Sequence, residues 1–184
     1  MLFSVTLYKF RPYTYHITKH LTTNITNTML SYKEIQENEI NNFVSYCKEK
    51  LNINQDVNVV IKKFPKSLYL FGYVDMLKCF EGINEIAINE NNNVSLNTLL
   101  TYIAHEITHI KQIINKELSL SENKKDLLWL NNKCMSVNVY NNYVKKHGVE
   151  KYMQIPFEFQ AYHNEKKLIR DYKPLFTIEN LLNI

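Results

Sequence analysis

Apolar residues along this chain switch between a helical and a strand-like spacing, and the switches divide it into elements. From Ser31 to about Leu51, Ile35, Ile40, Phe43, Val44, Cys47 and Leu51 fall on one stripe of a 3.6-residue repeat, which predicts an amphipathic helix. Val57–Ile61, Leu68–Val74 and Ile83–Asn89 are short runs rich in β-branched and apolar residues, enough for a small three-stranded sheet. The turn-forming run Asn91-Asn92-Asn93 follows. Ser95 then suits a helix cap, and Leu96, Leu99, Leu100, Ile103, Ile107, Ile110 and Ile114 recur at helical spacing behind it. Residues 121–147 read as a further helix, with Leu127, Leu128, Leu130, Val137 and Val139 apolar and Gly148 as its stop. Pro156 suits the first turn of a last helix, to which Ala161, Leu168 and Ile169 lend apolar positions. Within residues 1–30, Phe3, Val5 and Leu7 alternate as in a short strand, and the pattern assigns that segment no role. No repeat, low-complexity linker or Pro/Gly-rich hinge divides the chain, so residues 1–184 read as one helix-rich α+β domain.

Composition narrows the class. A chain of 184 residues buries about two thirds of its unfolded surface without help from disulfides. Cys47, Cys79 and Cys134 are odd in number and widely spaced, which argues for a reducing compartment. The N-terminus lacks a basic leader region and no apolar run approaches the ~18 residues of a membrane helix, so a soluble, cytoplasmic protein is expected. The net charge of +4 is almost all lysine, with Arg11 and Arg170 the only arginines. Asparagine is about one residue in eight, and the two biases together suggest an AT-rich genome, bacterial, phage, viral or protist. The lysine doublets are scattered and no arginine–aromatic interleaving occurs, so no specific nucleic-acid partner is expected.

The chemistry lies in His105-Glu106-Ile107-Thr108-His109. On a helix, residues four apart share a face, so the two imidazoles converge on one point that suits a zinc ion. Glu106, beside the first His, is placed to take a proton from a water activated by that metal. The plain alternative is a buried helix with two hydrogen-bonded core histidines. His16 and His20 are also four apart, but no Glu follows His16 and helix propensity there is poor, so they read as surface residues. A catalytic zinc needs a third protein ligand. Gln112 and Asn115 stand where the extended motif of some zinc proteases has Gly and a third His, so that ligand lies further on. Glu158, near the start of the Pro156 helix, is one candidate, and Glu150 and His147 are others; Glu165, two turns past Glu158, could support a ligand from outside the metal.

His-Glu-Ile-Thr-His followed by Phe157-Glu158-Phe159-Gln160-Ala161 resembles the gluzincin class of zincin metallopeptidases. The second string is similar to the Glu-x-x-Ala element of CaaX prenyl proteases. It is also similar to the Pro-aromatic-Glu-x-x-Ala-Tyr element of small bacterial and phage zincin-like proteins, in which Gln commonly follows the second His by three, as Gln112 does here. The likeness spans roughly residues 83–170. It implies a zincin-like fold, an active-site helix, zinc as cofactor and Glu158 as third ligand. It also implies that Ile83–Asn89, just before that helix, is the sheet edge that pairs with an extended peptide. Two departures stand out: Tyr162 replaces the Asp that prenyl proteases have after the Ala, and their membrane spans are missing. The function so implied is a zinc-dependent endopeptidase acting on a peptide or protein substrate, with Glu106 as base and Tyr162, or the adjacent His163, as a second donor to the oxyanion. A second reading is a non-catalytic zincin-fold protein, such as a virion component or interaction module. DNA-associated proteases with a related motif use a third His and a basic DNA-binding module, neither of which is evident here.

Overall fold

A computed structural model of the chain describes residues 32–64, 72–90 and 94–173. The expected strand at Phe3–Leu7, His16 and His20, the side chain of Ile35, residues 68–71 and the turn Asn91–Asn93 lie outside the described residues. The architecture is α+β: helix α1 (Tyr32–Leu51), strands β1 (Asn58–Lys62) and β2 (Gly72–Val74), helix α2 (Met76–Phe80), strand β3 (Glu85–Asn89) and helix α3 (Leu96–Ile114) form the first half. Strands β4 (Leu118–Leu120), β5 (Asp126–Trp129) and β6 (Asn132–Ser136), short helices α4 (Val137–Asn141), α5 (Tyr143–His147) and α6 (Val149–Tyr152), and the long helix α7 (Pro156–Asp171) complete it. No helix among the described residues is long and apolar enough to cross a membrane.

The first sheet has the order β1-β3-β2, with β1 parallel and β2 antiparallel to β3. This corrects the expectation that the strand preceding the motif helix is an edge. Ile86, Ala87 and Ile88 are buried in succession, so both faces of β3 are covered and both of its sides are paired. The edge nearest the motif is β2. Its register pairs Gly72 with Ile88, and a Cβ built on Gly72 would come within 2.9 Å of the Ala87 carbonyl oxygen, so the close approach requires glycine.

The helix expected over residues 121–147 is the larger correction. β4, β5 and β6 form an antiparallel meander, and only Val137 onward is helical, in pieces of five residues or fewer. Leu130 (φ 50°) and Asn131 (φ 65°) both take left-handed conformations between β5 and β6, the geometry of a two-residue hairpin turn. Leu130 is thus an exposed hairpin tip and not part of a helical stripe. Gly148, at φ 83°, does stop a helix, the short α5.

α3 is the centre of the molecule. Ser95 caps it by accepting from Thr98 N–H, as its sequence implies. Every residue from Tyr102 to Ile110 is buried, because the helix meets α1 and the first sheet on one side and α7 on another. Phe43 and Cys47 of α1, Ile86 of β3, Ile103, Ile107 and Ile110 of α3 and Phe157 of α7 form one apolar cluster. All three cysteines are free; burial pushes the thiol of Cys79 up to about 12 and that of Cys47 upward as well, so both behave as packing residues.

Candidate metal centre

α3 and α7 meet along two polar stripes set into apolar surroundings. On α3 the stripe is His105, His109 and Gln112; on α7 it is Glu158, Tyr162 and Glu165, spaced by one turn at a time. Ala161, fully buried between them, keeps the inward face of α7 low. Polar groups so enclosed persist only when each is paired.

The pairings fix both rings. His105 Nδ1 lies 2.9 Å from Glu165 Oε2, and His109 Nδ1 lies 2.9 Å from Gln112 Oε1. The Gln112 amide is itself oriented, since its Nε2 donates to the Phe157 carbonyl at 2.9 Å and to Gln160 Oε1 at 2.8 Å. Both Nδ1 atoms therefore donate outward, and both Nε2 atoms face inward. Between those inward atoms the separation is 3.2 Å, and Glu158 brings Oε2 to 3.3 Å from His105 Nε2 and Oε1 to 3.5 Å from His109 Nε2.

This donor set fits a divalent cation. Metal–ligand bonds of about 2.0–2.2 Å at the tetrahedral angle put ligand atoms about 3.3–3.6 Å apart, close to the 3.2 Å between the two Nε2 atoms and to the 3.3 Å and 3.5 Å at which the two Glu158 oxygens each approach one imidazole. Two neutral imidazoles and a carboxylate would otherwise aim acceptors at one another, so something positive must sit among them. Without metal that charge is a proton on His105: burial pulls its pKa down, but hydrogen bonds to Glu158 and Glu165 outweigh burial and raise it to about 10. Burial pushes the Glu158 carboxyl up, yet the facing His109 and His105 hold it well below the usual carboxylate range. Among the described residues, His105, His109 and Glu158 are the one group of three with metal-ligand chemistry, their ligand atoms lying within 4.8 Å of one another.

The other expected ligands are not brought here. Glu150 is exposed on α6, His163 is exposed on α7, and His147 lies on α5 with its ring against Tyr143. Glu165 supplies the outer carboxylate that the Tyr162 position lacks, one turn further along α7. Tyr162 is buried and packs edge-on against the His105 ring at 4.6 Å. Glu106 is buried beside the centre, and its Oε2 accepts from the Val74 N–H at 3.1 Å, which ties edge strand β2 to the motif helix. Two residues had no sequence signal. Tyr140 of α4 donates to Glu158 Oε1 at 2.6 Å, and Tyr152 of α6 lies 2.9 Å from the Tyr140 hydroxyl. Burial, reinforced by the Glu158 charge, raises both phenols well above their ordinary range, so both keep their protons.

No protein-family model, curated protein or solved structure matches this chain.

Proposed function

We propose that this protein is a zinc-dependent endopeptidase. The observation that supports it is the convergence of His105, His109 and Glu158, their ligand atoms within 4.8 Å of one another, beside the buried carboxylate of Glu106. His105, His109 and Glu158 would hold the zinc ion, which when bound would supply a Lewis acid for the scissile carbonyl and lower the pKa of a water toward neutrality. Glu106 takes the proton of the attacking water and passes it to the leaving amine. Tyr162, packed on His105, is the residue assigned as second donor to the oxyanion. The peptide pairs along the outer side of β2, where no other strand lies among the described residues. Free cysteines fit a reducing, cytoplasmic setting.

One pair of observations favours a second reading, a metal-stabilised zincin-like protein without catalysis, used as part of an assembly. Glu106 has a structural use, since it anchors β2, and the three ligand side chains are enclosed, as in zinc sites that serve stability. Glu106→Gln separates the two readings, because the glutamine carbonyl oxygen still accepts from Val74 N–H but cannot act as a base. Zinc content should stay near one per chain in both proteins, while peptidase activity falls about 10²–10⁴-fold in the variant. Zinc-loaded wild type that cleaves no unfolded protein or peptide supports the second reading. Wild type that takes up no zinc removes both.

A further inference from the structure

Two tyrosines reach the third ligand from the segment that separates the site helices. Tyr140 and Tyr152 are 2% and 1% exposed, and Glu158 is 0% exposed, so water does not complete their hydrogen bonds. Each hydroxyl has one proton to give. Tyr140 spends its proton on Glu158 Oε1 at 2.6 Å, the length of a hydrogen bond to an ionised oxygen. The 2.9 Å contact between the hydroxyls must then be donated by Tyr152. The protons run in one direction, Tyr152 to Tyr140 to Glu158, and each bond polarises the next.

We infer that Tyr140 is a positioning residue for metal binding: its hydroxyl holds Oε1 of Glu158, which also lies 3.5 Å from His109 Nε2, and so fixes the carboxylate with Oε2, 3.3 Å from His105 Nε2, turned toward the cation. Tyr152 holds the Tyr140 proton in that direction and also interacts with the Glu158 carboxylate itself. This rests on the metal site proposed above and adds to it how the carboxylate is presented. The rings themselves are packed independently of the hydroxyls: Tyr140 stacks on Tyr152 with centroids 5.9 Å apart and tilts against Phe157 at 5.4 Å. Phenylalanine at either position keeps that packing and removes only the hydrogen bond.

The test is zinc competition with a chromophoric chelator, together with the visible spectrum of the cobalt(II)-loaded protein, for wild type, Tyr140→Phe, Tyr152→Phe, Glu158→Gln and the Tyr140→Phe/Glu158→Gln double variant. Tyr140→Phe should weaken zinc binding about 10- to 100-fold, the usual range for a partner that orients a metal ligand. Its cobalt spectrum should lose intensity, because a freed Oε1 can join Oε2 on the metal and raise the coordination number. Tyr152→Phe should move both readouts the same way by a smaller amount. In the double variant the tyrosine change should have no further effect on affinity, since its action runs through the carboxylate. Wild-type affinity and spectrum in Tyr140→Phe, or fully additive losses in the double variant, overturn the inference while leaving the metal site standing. If Tyr140→Phe does not fold, Tyr152→Phe decides, and unchanged affinity and spectrum there overturn the relay. Wild type that binds neither zinc nor cobalt fails at the earlier step and identifies the metal reading itself as wrong.

Discussion

His105 is gripped at both ring nitrogens by carboxylates, Glu165 at Nδ1 and Glu158 at Nε2, and this makes its second proton the rival of any metal. Burial alone would strip that proton, but the two hydrogen bonds keep it in place up to about pH 10 in the metal-free protein. Metal binding has to displace it. The apparent zinc affinity should therefore rise with pH below that value, and calorimetry in buffers of different ionisation heat should find protons released on zinc binding. An affinity that is flat with pH would mean that His105 is already neutral. Folding responds with the opposite sign. Because the folded pKa lies above the ~6.5 of an unfolded histidine, the stabilisation of the metal-free protein is fully present below about pH 6.5 and is lost as pH rises through about 10. Glu158 is the other half of the same pair, held below its ordinary range, so the pair also loses its contribution in strong acid; the contribution is counted once. At this scale much was legible. Histidine spacing identifies His105 and His109, and the Glu-x-x-Ala likeness points to Glu158. Tyr140 and Tyr152 were not legible, because thirteen tyrosines look alike in sequence and only tertiary packing distinguishes the two that touch Glu158.

Among the elements, β2 is the smallest and sits where the site meets the sheet. It is three residues long, pairs with β3 on one side and is tied through Val74 N–H to Glu106. Gly72 permits this position, since a methyl group there would press on the Ala87 carbonyl oxygen and Ile88 Cδ1, both at 2.9 Å. Gly72→Ala should destabilise the protein by about 1–3 kcal/mol, the usual cost of overpacking, and, on the proposed function, should lower peptidase activity beyond that by shifting Val74 away from Glu106, the proposed base. Urea unfolding alongside zinc content and activity checks it; wild-type stability would show that β2 moves aside freely. The short elements are also where sequence and structure part company. β1, β2 and β3 fall within or within a residue of the runs that read as strands, whereas β4 (Leu118–Leu120) gives too few positions for alternation to register. The meander failed for another reason: Leu127, Leu128 and Leu130 form a near-continuous apolar run, which suits a buried strand and a buried helix equally well. The turn that decides between them depends on left-handed φ at Leu130 and Asn131. The long helices α1 and α3 match the sequence pattern to within a residue or so, and α7 matches it in its start at Pro156, because each repeats its stripe over several turns.

Across the whole molecule, the centre joins parts that are remote along the chain. Glu158 follows His105 by 53 residues, and the tyrosine relay adds α4 and α6 to the connection between α3 and α7. A ligand that binds only the folded state stabilises it by about 2.7 kcal/mol at a hundred times its Kd. For a chain of this size that corresponds to a rise of roughly 5–11 °C in Tm. Zinc-loaded protein should melt higher than chelator-treated protein by about that much, as seen by calorimetry, and coincident melting curves would mean that the site contributes nothing to holding the helices together.

The burial of α3 on all sides has a bearing on the order of events as the chain is made. A ribosome delivers the motif helix long before α7, and until α7 arrives one flank of Ile- and Ala-lined helix has nothing to cover it. The growing chain has the two imidazoles but not the carboxylates of Glu158 and Glu165 that pair with them, and a core with one wall missing. Docking of the last long helix supplies the wall and the carboxylate together. Completion of the core and assembly of the candidate metal site thus coincide, and a nascent chain stalled before Pro156 lacks both the last wall of the core and Glu158 of the three-residue group.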